Sequence, residues 1–299
     1  MKIGVCVQLS NAQVSRLRAA VAPNALHVGA NELCECEIIF GNPAPDSIGG
    51  NRCLRWVQLE SVGFGEYASL DCLNDRSVSM TNLTGFFAQQ VAESIMAGVL
   101  ALYRGVDRLV AFKERRTWVG DDLRPQTRTL QGARVVLFGY GSINRRVEAL
   151  LKPFECRIVR FSSEWNAEDL DTTLSDADVL ISTVPATSAT ANVFDKRRLQ
   201  LLSGAVFCNF GRGSVVEEDA LAAALEQGLL RGAVIDVTNE EPLPSNHRFW
   251  RCPNLLLTQH TAGGSSDEMD RKIDFFLANL QRFINGRPLE SLVDPGRGY

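Results

Sequence analysis

Apolar positions along the chain follow two rhythms. Short runs, KIGVCVQL, CEIIFG and RWVQLE, punctuate the first eighty or so residues and alternate with polar or helical pieces such as NAQVSRLRAA. That alternation predicts a small α/β domain with a mostly parallel sheet. The stretch Asn42 to Asn51, NPAPDSIGGN, reads as a loop from its prolines and glycines. From Thr84 the rhythm turns helical: Phe87, Val91, Ile95, Val99 and Leu102 recur at helical spacing with few breakers before Gly105. Such a helix is expected to carry the chain from one domain to the other. A more polar helical piece with Trp118 follows, then a loop, GDDLRPQTRTLQG.

Beyond residue 130 strands and helices repeat in a manner that suits a doubly wound sheet. Strands are predicted at Val135 to Phe138, Arg157 to Phe161, Asp178 to Val184, Ala205 to Asn209, Gly232 to Val237 and Leu255 to Thr258. Helices are predicted at Ile143 to Lys152, after NFGRG, and at Asp267 to Ile284, the last returning toward the first domain. The expected fold class is α/β: two Rossmann-like or flavodoxin-like domains with doubly wound parallel sheets and the active site in the cleft between them. The expected division is a discontinuous substrate domain, 1–96 plus 280–299, and a dinucleotide-binding domain, 97–279.

Composition narrows the function classes. A chain of 299 residues accommodates two ordinary domains. A net charge of −4 and a pI near 5.6 give no electrostatic footprint for nucleic acid, and the short KERR run from Lys113 to Arg116 reads as a solvated helix face. The apolar stretches are strand-sized and the N-terminal one is too short for a signal peptide, so a cytoplasmic protein without membrane partners is expected. The eight cysteines form no CxxC pair and are expected to be buried, reduced thiols. With three histidines in all, no metal site is expected.

The candidate chemistry begins at RVVLFGYGSINRR, where a predicted strand breaks at Gly139 and Gly141 and runs straight into a helix. Such a turn aims the helix's first N–H groups at an anion, and this is how a diphosphate is held. Two departures keep an ordinary tight turn open as an alternative. Asn144 stands at the third glycine position, and the next strand ends in Ser162 and Ser163 instead of an acidic residue. In SVGFGEY, Val62 and Gly63 either form a plain turn or present N–H groups to a small anion.

Three later strand ends each deliver one polar side chain: Arg212, Glu241 and His260. Strand ends on one side of a parallel sheet share a crevice. An arginine fork holds a carboxylate bidentately, a histidinium gives a proton to a carbonyl oxygen, and a carboxylate beside the imidazole orients it. The set suits reduction of a 2-oxo acid, with hydride from a nicotinamide because no side chain supplies one. Singly, each residue also has a structural reading: a carbonyl ligand, a turn cap, a hydrogen-bonded histidine.

Four ordered stretches, GYGSIN, NFGRGSVVEEDALAAALEQG, GAVIDVTNEEPLP and NLLLTQHTAGGS, resemble the D-isomer-specific 2-hydroxyacid dehydrogenase family. LTGFFAQQVAESIMAGVLALYR is similar to that family's interdomain helix and SVGFGEY to its substrate loop. The resemblance implies an oxidoreductase in which Arg212 binds substrate, His260 is the acid/base and Glu241 its partner. It implies backbone contacts to the substrate carboxylate at Val62 and Gly63, and a diphosphate turn of Gly139, Gly141, Ser142 and Ile143. Val184, Pro185, Asn209 and Phe210 fall on strand ends bordering the cofactor, and Asp236 matches an aspartate that tunes the site's response to pH.

The departures carry expectations too. Gln259 replaces the proline before the histidine, which loosens the backbone there. With Ser162 in place of an acidic residue, a 2′-phosphate is not repelled, and hydroxyls at Ser162 and Ser163 can help hold it, with Arg160 either close by or on the other face of its strand, so NADP is expected ahead of NAD. Glyoxylate- or hydroxypyruvate-like substrates and a homodimer are expected. The absence of a long extension after Tyr299 argues against a regulated phosphoglycerate dehydrogenase. A short enzyme of that kind, a D-lactate dehydrogenase-like enzyme and a non-catalytic dinucleotide-sensing protein are the alternatives.

Overall fold

The computed structural model describes residues 1–29, 33–75 and 77–295. The chain divides into two compact units, Met1–Phe86 with the segment from Ser265 onward, and Phe87–Gly264. The boundaries expected from sequence, 96/97 and 279/280, fall inside the helices Ala88–Arg104 and Glu268–Ile284, each of which stays whole within one unit.

In the first unit, β1 (Lys2–Val5), β2 (Ala25–Val28), β3 (Ile38–Phe40), β4 (Trp56–Gln58) and β5 (Ser79–Thr81) form a parallel sheet in the order β2-β1-β3-β4-β5. This is the flavodoxin-like order. The final helix, Glu268–Ile284, buries Ile273, Phe276 and Leu280 against Ile3, Val5, Ile38, Phe40 and Trp56. Phe276 stacks on Phe40 at 4.7 Å between ring centroids.

The second unit carries β6 (Arg134–Phe138), β7 (Arg157–Phe161), β8 (Val179–Ser182), β9 (Val206–Asn209), β10 (Gly232–Ile235) and β11 (Leu255–Leu257). They form a parallel sheet ordered β11-β10-β9-β8-β6-β7. Its inner strands β10, β9, β8 and β6 read as nearly continuous apolar runs because both faces are covered, while the edge strand β7 keeps Arg157 and Arg160 exposed. Along β6, Val136 and Phe138 enter one core cluster while Val135 and Leu137 enter the other, on the opposite face. The chain leaves β6 for β7 on one side and returns to β8 on the other. The switch point, where ligands bind in such sheets, therefore lies between the C-terminal ends of β6 and β8.

Several expectations change. Pro45–Gly49 forms a short helix inside the stretch read as a loop, with Pro45 in its first turn, where a missing N–H costs nothing. The short strands β2 and β5 are absent from the sequence reading, because three or four residues with mixed burial carry too little periodicity. All eight cysteines are free, but only Cys36 and Cys208 are buried, and Cys34 and Cys53 are exposed. Among the described residues no helix is long and apolar enough to cross a membrane.

Candidate active site

The glycine turn sits at the switch point. Strand β6 ends at Phe138, and the helix Ser142–Leu151 starts after Gly141, whose place at the N-cap brings no side-chain hydrogen bond to the first-turn amides. Gly139 has φ +89°, and a Cβ there would lie 2.6 Å from Val184 Cγ1 and 3.1 Å from Val184 N. Only glycine fits. At Gly141 nothing lies within 4 Å of where a Cβ would stand, so one side of the turn is open. Two amides, Gly139 N and Tyr140 N, donate to Phe161 O at 2.9 and 3.0 Å, which brings the end of β7 and the exposed Ser162 and Ser163 beside the turn.

Asn144 explains how this chain manages without a third glycine. It is fully buried, and its Nδ2 donates to the carbonyls of Phe138, Gly139 and Ile181 at 3.2, 3.1 and 3.4 Å. Thr183 Oγ1 adds a bond to Gly139 O at 2.9 Å. The side chains thus tie the ends of β6 and β8 into one floor, leaving the N-terminus of a helix of 10 residues above it. Open space at Gly141, a required glycine at Gly139 and uncapped first-turn amides fit a diphosphate, so Gly139, Gly141, Ser142 and Ile143 form a coherent cradle.

Arg212 lies past β9, between two buried glycines. A Cβ on Gly211 would stand 2.2 Å from Val184 O, and one on Gly213 only 2.1 Å from the Thr238 carbonyl carbon. The backbone therefore runs hard against the ends of β8 and β10, and the exposed Arg212 side chain donates from Nη1 to Gly211 O at 2.7 Å. Asn209 braces the loop: its Nδ2 donates to Arg212 O at 2.9 Å and its Oδ1 accepts from Gly211 N at 3.2 Å. Val184 and Phe210 are buried, and Pro185 O accepts from Thr190 Oγ1 at 2.7 Å, so these three positions shape the strand ends chiefly through backbone and packing.

The histidine and glutamate meet directly. His260 Nδ1 lies 2.7 Å from Glu241 Oε2, while Glu241 Oε1 accepts from Thr238 N at 2.9 Å. Burial pushes the Glu241 carboxyl upward. Its bonds from His260 and Thr238, with the charges of His260 and Arg212, outweigh that and hold it below the usual carboxylate range. An ionised carboxylate at Nδ1 makes that nitrogen the proton-bearing one and leaves Nε2 for a reactant.

Asp236 does not touch the imidazole through its side chain. Its Oδ1 accepts from Thr258 Oγ1 at 2.5 Å and Ala262 N at 3.3 Å, and its backbone oxygen accepts from His260 N at 2.7 Å. It fastens both ends of the segment that carries His260. Within that segment Gln259 and His260 have φ +52° and +55°. A proline cannot adopt a positive φ, so this backbone requires a residue other than proline at position 259. A cleft of about 410 Å³ opens beside the pair, with Ile235, Leu243, Trp250 and Leu257 on its apolar side.

In the first unit, the carbonyl of Val62 accepts from Asn82 Nδ2 at 2.7 Å and that of Gly63 from Ser61 Oγ at 2.9 Å. These bonds fix the loop through its acceptors and leave its amides for other use. Arg160 departs from its expected place at a phosphate. Its fork closes on Glu148, with Nε 2.8 Å from Oε2 and a second bond to Oε1. Thr183, Thr238 and Thr258 all serve the site without having been singled out from sequence. Small polar residues at strand ends were the available signal.

A Rossmann-type sheet with a diphosphate cradle at its switch point and a His–Glu pair at neighbouring strand ends defines a dinucleotide-dependent oxidoreductase. Residues 96–262 match the model of the D-isomer specific 2-hydroxyacid dehydrogenase NAD binding domain. The chain is 30% identical over 292 residues to glyoxylate/hydroxypyruvate reductase A of Salmonella newport, covering 91% of this chain and 90% of that one. It is 28% identical to glyoxylate reductase of Aeropyrum pernix, over 93% and 85% of the two chains. A crystal structure of a D-isomer specific 2-hydroxyacid dehydrogenase family protein from Aeromonas salmonicida superposes with a TM-score of 0.82 at 27% identity, over 98% and 99% of the chains. The chain belongs to the D-isomer-specific 2-hydroxyacid dehydrogenase family, and as such is an NAD(P)-dependent 2-hydroxyacid dehydrogenase.

Proposed function

We propose that the protein reduces a small 2-oxo acid, of the glyoxylate or hydroxypyruvate kind, to the D-2-hydroxy acid, with NADPH used ahead of NADH. The observation that carries this reading is the His260–Glu241 pair at 2.7 Å with the charge of Arg212 acting on Glu241. The Salmonella and Aeropyrum relatives are named for glyoxylate and hydroxypyruvate, which supports the choice of substrate.

Bound reduced nicotinamide supplies the hydride. Arg212 holds the substrate carboxylate and polarises the carbonyl beside it. His260 gives the proton on Nε2 to the carbonyl oxygen, which becomes the hydroxyl, and Glu241 stabilises the imidazolium before the transfer and keeps the ring aimed. Asp236 holds the His260 segment in place from below. The Val62 and Gly63 amides are assigned to the substrate carboxylate, and Ser162 and Ser163 to the adenosine ribose. Glyoxylate, hydroxypyruvate, pyruvate and longer 2-oxo acids, each assayed with NADPH and NADH, test the reading. Turnover with the short acids is expected, and failure to oxidise either coenzyme with any of them overturns it.

A homodimer is part of the proposal. The helix Val106–Glu114 has no buried residue, and Val106, Leu109 and Val110 are exposed with Trp118 close after it in sequence, 95% exposed. Sedimentation of the native protein and of Val110→Glu tests this. A monomeric native protein contradicts it.

A further inference from the structure

Beside the glycine turn lies a charged cluster that the catalytic machinery does not use. Glu148, on the helix Ser142–Leu151, accepts the Arg160 fork through both oxygens and the Tyr140 hydroxyl at 2.5 Å. The guanidinium carbons of Arg145 and Arg160 each lie 5.5 Å from the centre of the Tyr140 ring. Two guanidiniums and one carboxylate leave the cluster with a single net positive charge.

Its location is set by the backbone. Tyr140 belongs to the turn itself, and its amide donates to Phe161 O, the carbonyl that precedes Ser162. Strand β7 ends at Phe161, so Ser162 follows Arg160 by two residues at the strand's C-terminal end, next to the turn that carries Tyr140. Ile158, on the face of β7 that carries Arg160, packs in the core cluster that holds Val147 and Leu151 of the Glu148 helix. The position after β7 is where a Rossmann sheet meets the adenosine ribose, and a 2′-phosphate there would find Ser162 beside this cluster.

We propose that Glu148 sets the coenzyme preference by withholding Arg160: the carboxylate occupies the fork that would otherwise grip a 2′-phosphate. The inference rests on the dinucleotide reading of the glycine turn and goes beyond it by naming the residue that tunes phosphate discrimination. Glu148 is thus a positioning residue acting through Arg160, and Tyr140 is the ring on which the two arginines lie. The energetic logic is simple. A bidentate arginine–carboxylate pair competes directly with a bidentate arginine–phosphate pair, because one planar fork serves one partner at a time.

Equilibrium binding of NADPH, NADH, 2′,5′-ADP and 5′-ADP to the full chain tests this without turnover. Glu148→Gln, which keeps shape and removes charge, should tighten NADPH and 2′,5′-ADP by about tenfold, the gain of one charge-assisted contact. NADH and 5′-ADP should stay within about twofold, since their contacts are elsewhere. In Glu148→Gln/Arg160→Gln the gain should vanish. Arg160→Gln alone leaves Glu148 bare and should weaken the 2′-phosphorylated ligands several-fold while sparing the others. This second variant serves if Glu148→Gln fails to fold, as judged by thermal melting. An unchanged NADPH-to-NADH ratio in both single variants, or a gain that persists in the double variant, overturns the inference. If the native protein binds none of the four ligands, the dinucleotide reading itself falls, and the inference with it.

Discussion

His260 Nδ1 stands 2.7 Å from Glu241 Oε2, and the second oxygen of that carboxylate is fixed by the Thr238 amide at 2.9 Å. The imidazole is therefore aimed by a carboxylate that is itself anchored to backbone. An orienter so held cannot swing away with its charge. Its loss should be felt in the position of His260.

From this follows the effect of Glu241→Gln. The amide keeps a hydrogen bond but removes the negative charge that supports the imidazolium during proton transfer. Steady-state rates should show kcat reduced about 10- to 100-fold at neutral pH, with coenzyme affinity near the native value. His260→Ala should cost about 10²- to 10⁴-fold in kcat while coenzyme affinity stays near the native value. Native-like kcat in Glu241→Gln would show that the carboxylate does not act on the proton donor.

Arg212 sits in a loop pinned by contacts only glycine allows. Arg212→Lys keeps the charge but loses the fork, and should raise KM for the 2-oxo acid by about tenfold or more while coenzyme KM changes little. Gly213→Ala acts differently: a Cβ would stand 2.1 Å from the Thr238 carbonyl carbon. Backbone must move to admit it, so stability should fall by about 1–3 kcal/mol, read as a lower midpoint in urea unfolding, with kcat falling as well.

Gln259 offers a test in which the residue usual in the family should do harm. At φ +52° the position excludes proline. Gln259→Pro must rebuild the segment held by Asp236, and should lower kcat about 10- to 100-fold through misplacement of His260, with coenzyme binding retained. Native-like kcat in this variant would show that the left-handed backbone is not needed.

Asn144 donates to three backbone carbonyls from full burial. Asn144→Ala strips these acceptors of a shared donor and should destabilise the protein by about 1–3 kcal/mol. Coenzyme affinity should fall with it, because the floor of the diphosphate cradle is what the side chain holds together. Urea unfolding and coenzyme titration separate the two effects.

Glu148 carries a pH signature. The Arg160 fork holds its carboxyl down at about 2, against 4.5 for the ordinary group, with burial opposing and Tyr140 assisting. A depressed folded-state value means stability that is fully present above pH 4.5 and is lost as pH falls toward 2. The pair is largely solvent-facing, so screening reduces its worth to about 1 kcal/mol. Acid unfolding of Glu148→Gln should lack this portion of the slope, and identical acid transitions in the two proteins would contradict the assignment.

Much of the molecule is written in local pattern. Apolar runs marked the inner strands of the second unit, because strands covered on both faces are apolar throughout, and Ile158, Val159 and Phe161 marked the edge strand β7 alongside its exposed arginines. The residues proposed to bear chemistry were picked out by their place just past strand ends, which made Arg212, Glu241 and His260 legible as a candidate set, and the glycine turn as a candidate anion site. Local pattern has no hold on short, unevenly buried strands, which is why β2 and β5 appeared only in the folded chain.

The tertiary structure decided whatever depends on partners far apart in sequence. Asn144 reads as a departure from a glycine fingerprint, yet it reaches Ile181, 37 residues away, and becomes a brace between two strands. Gly213 is indispensable because of Thr238, and Gly211 because of Val184. Arg160 looked like a phosphate ligand by position, but the fold sets Glu148 against it. Sequence determined which residues stand at the crevice, since periodicity and burial are local properties. Which of them face one another, and which are already engaged, was left to packing, because only closure of the sheet and its helices fixes distances between strand ends.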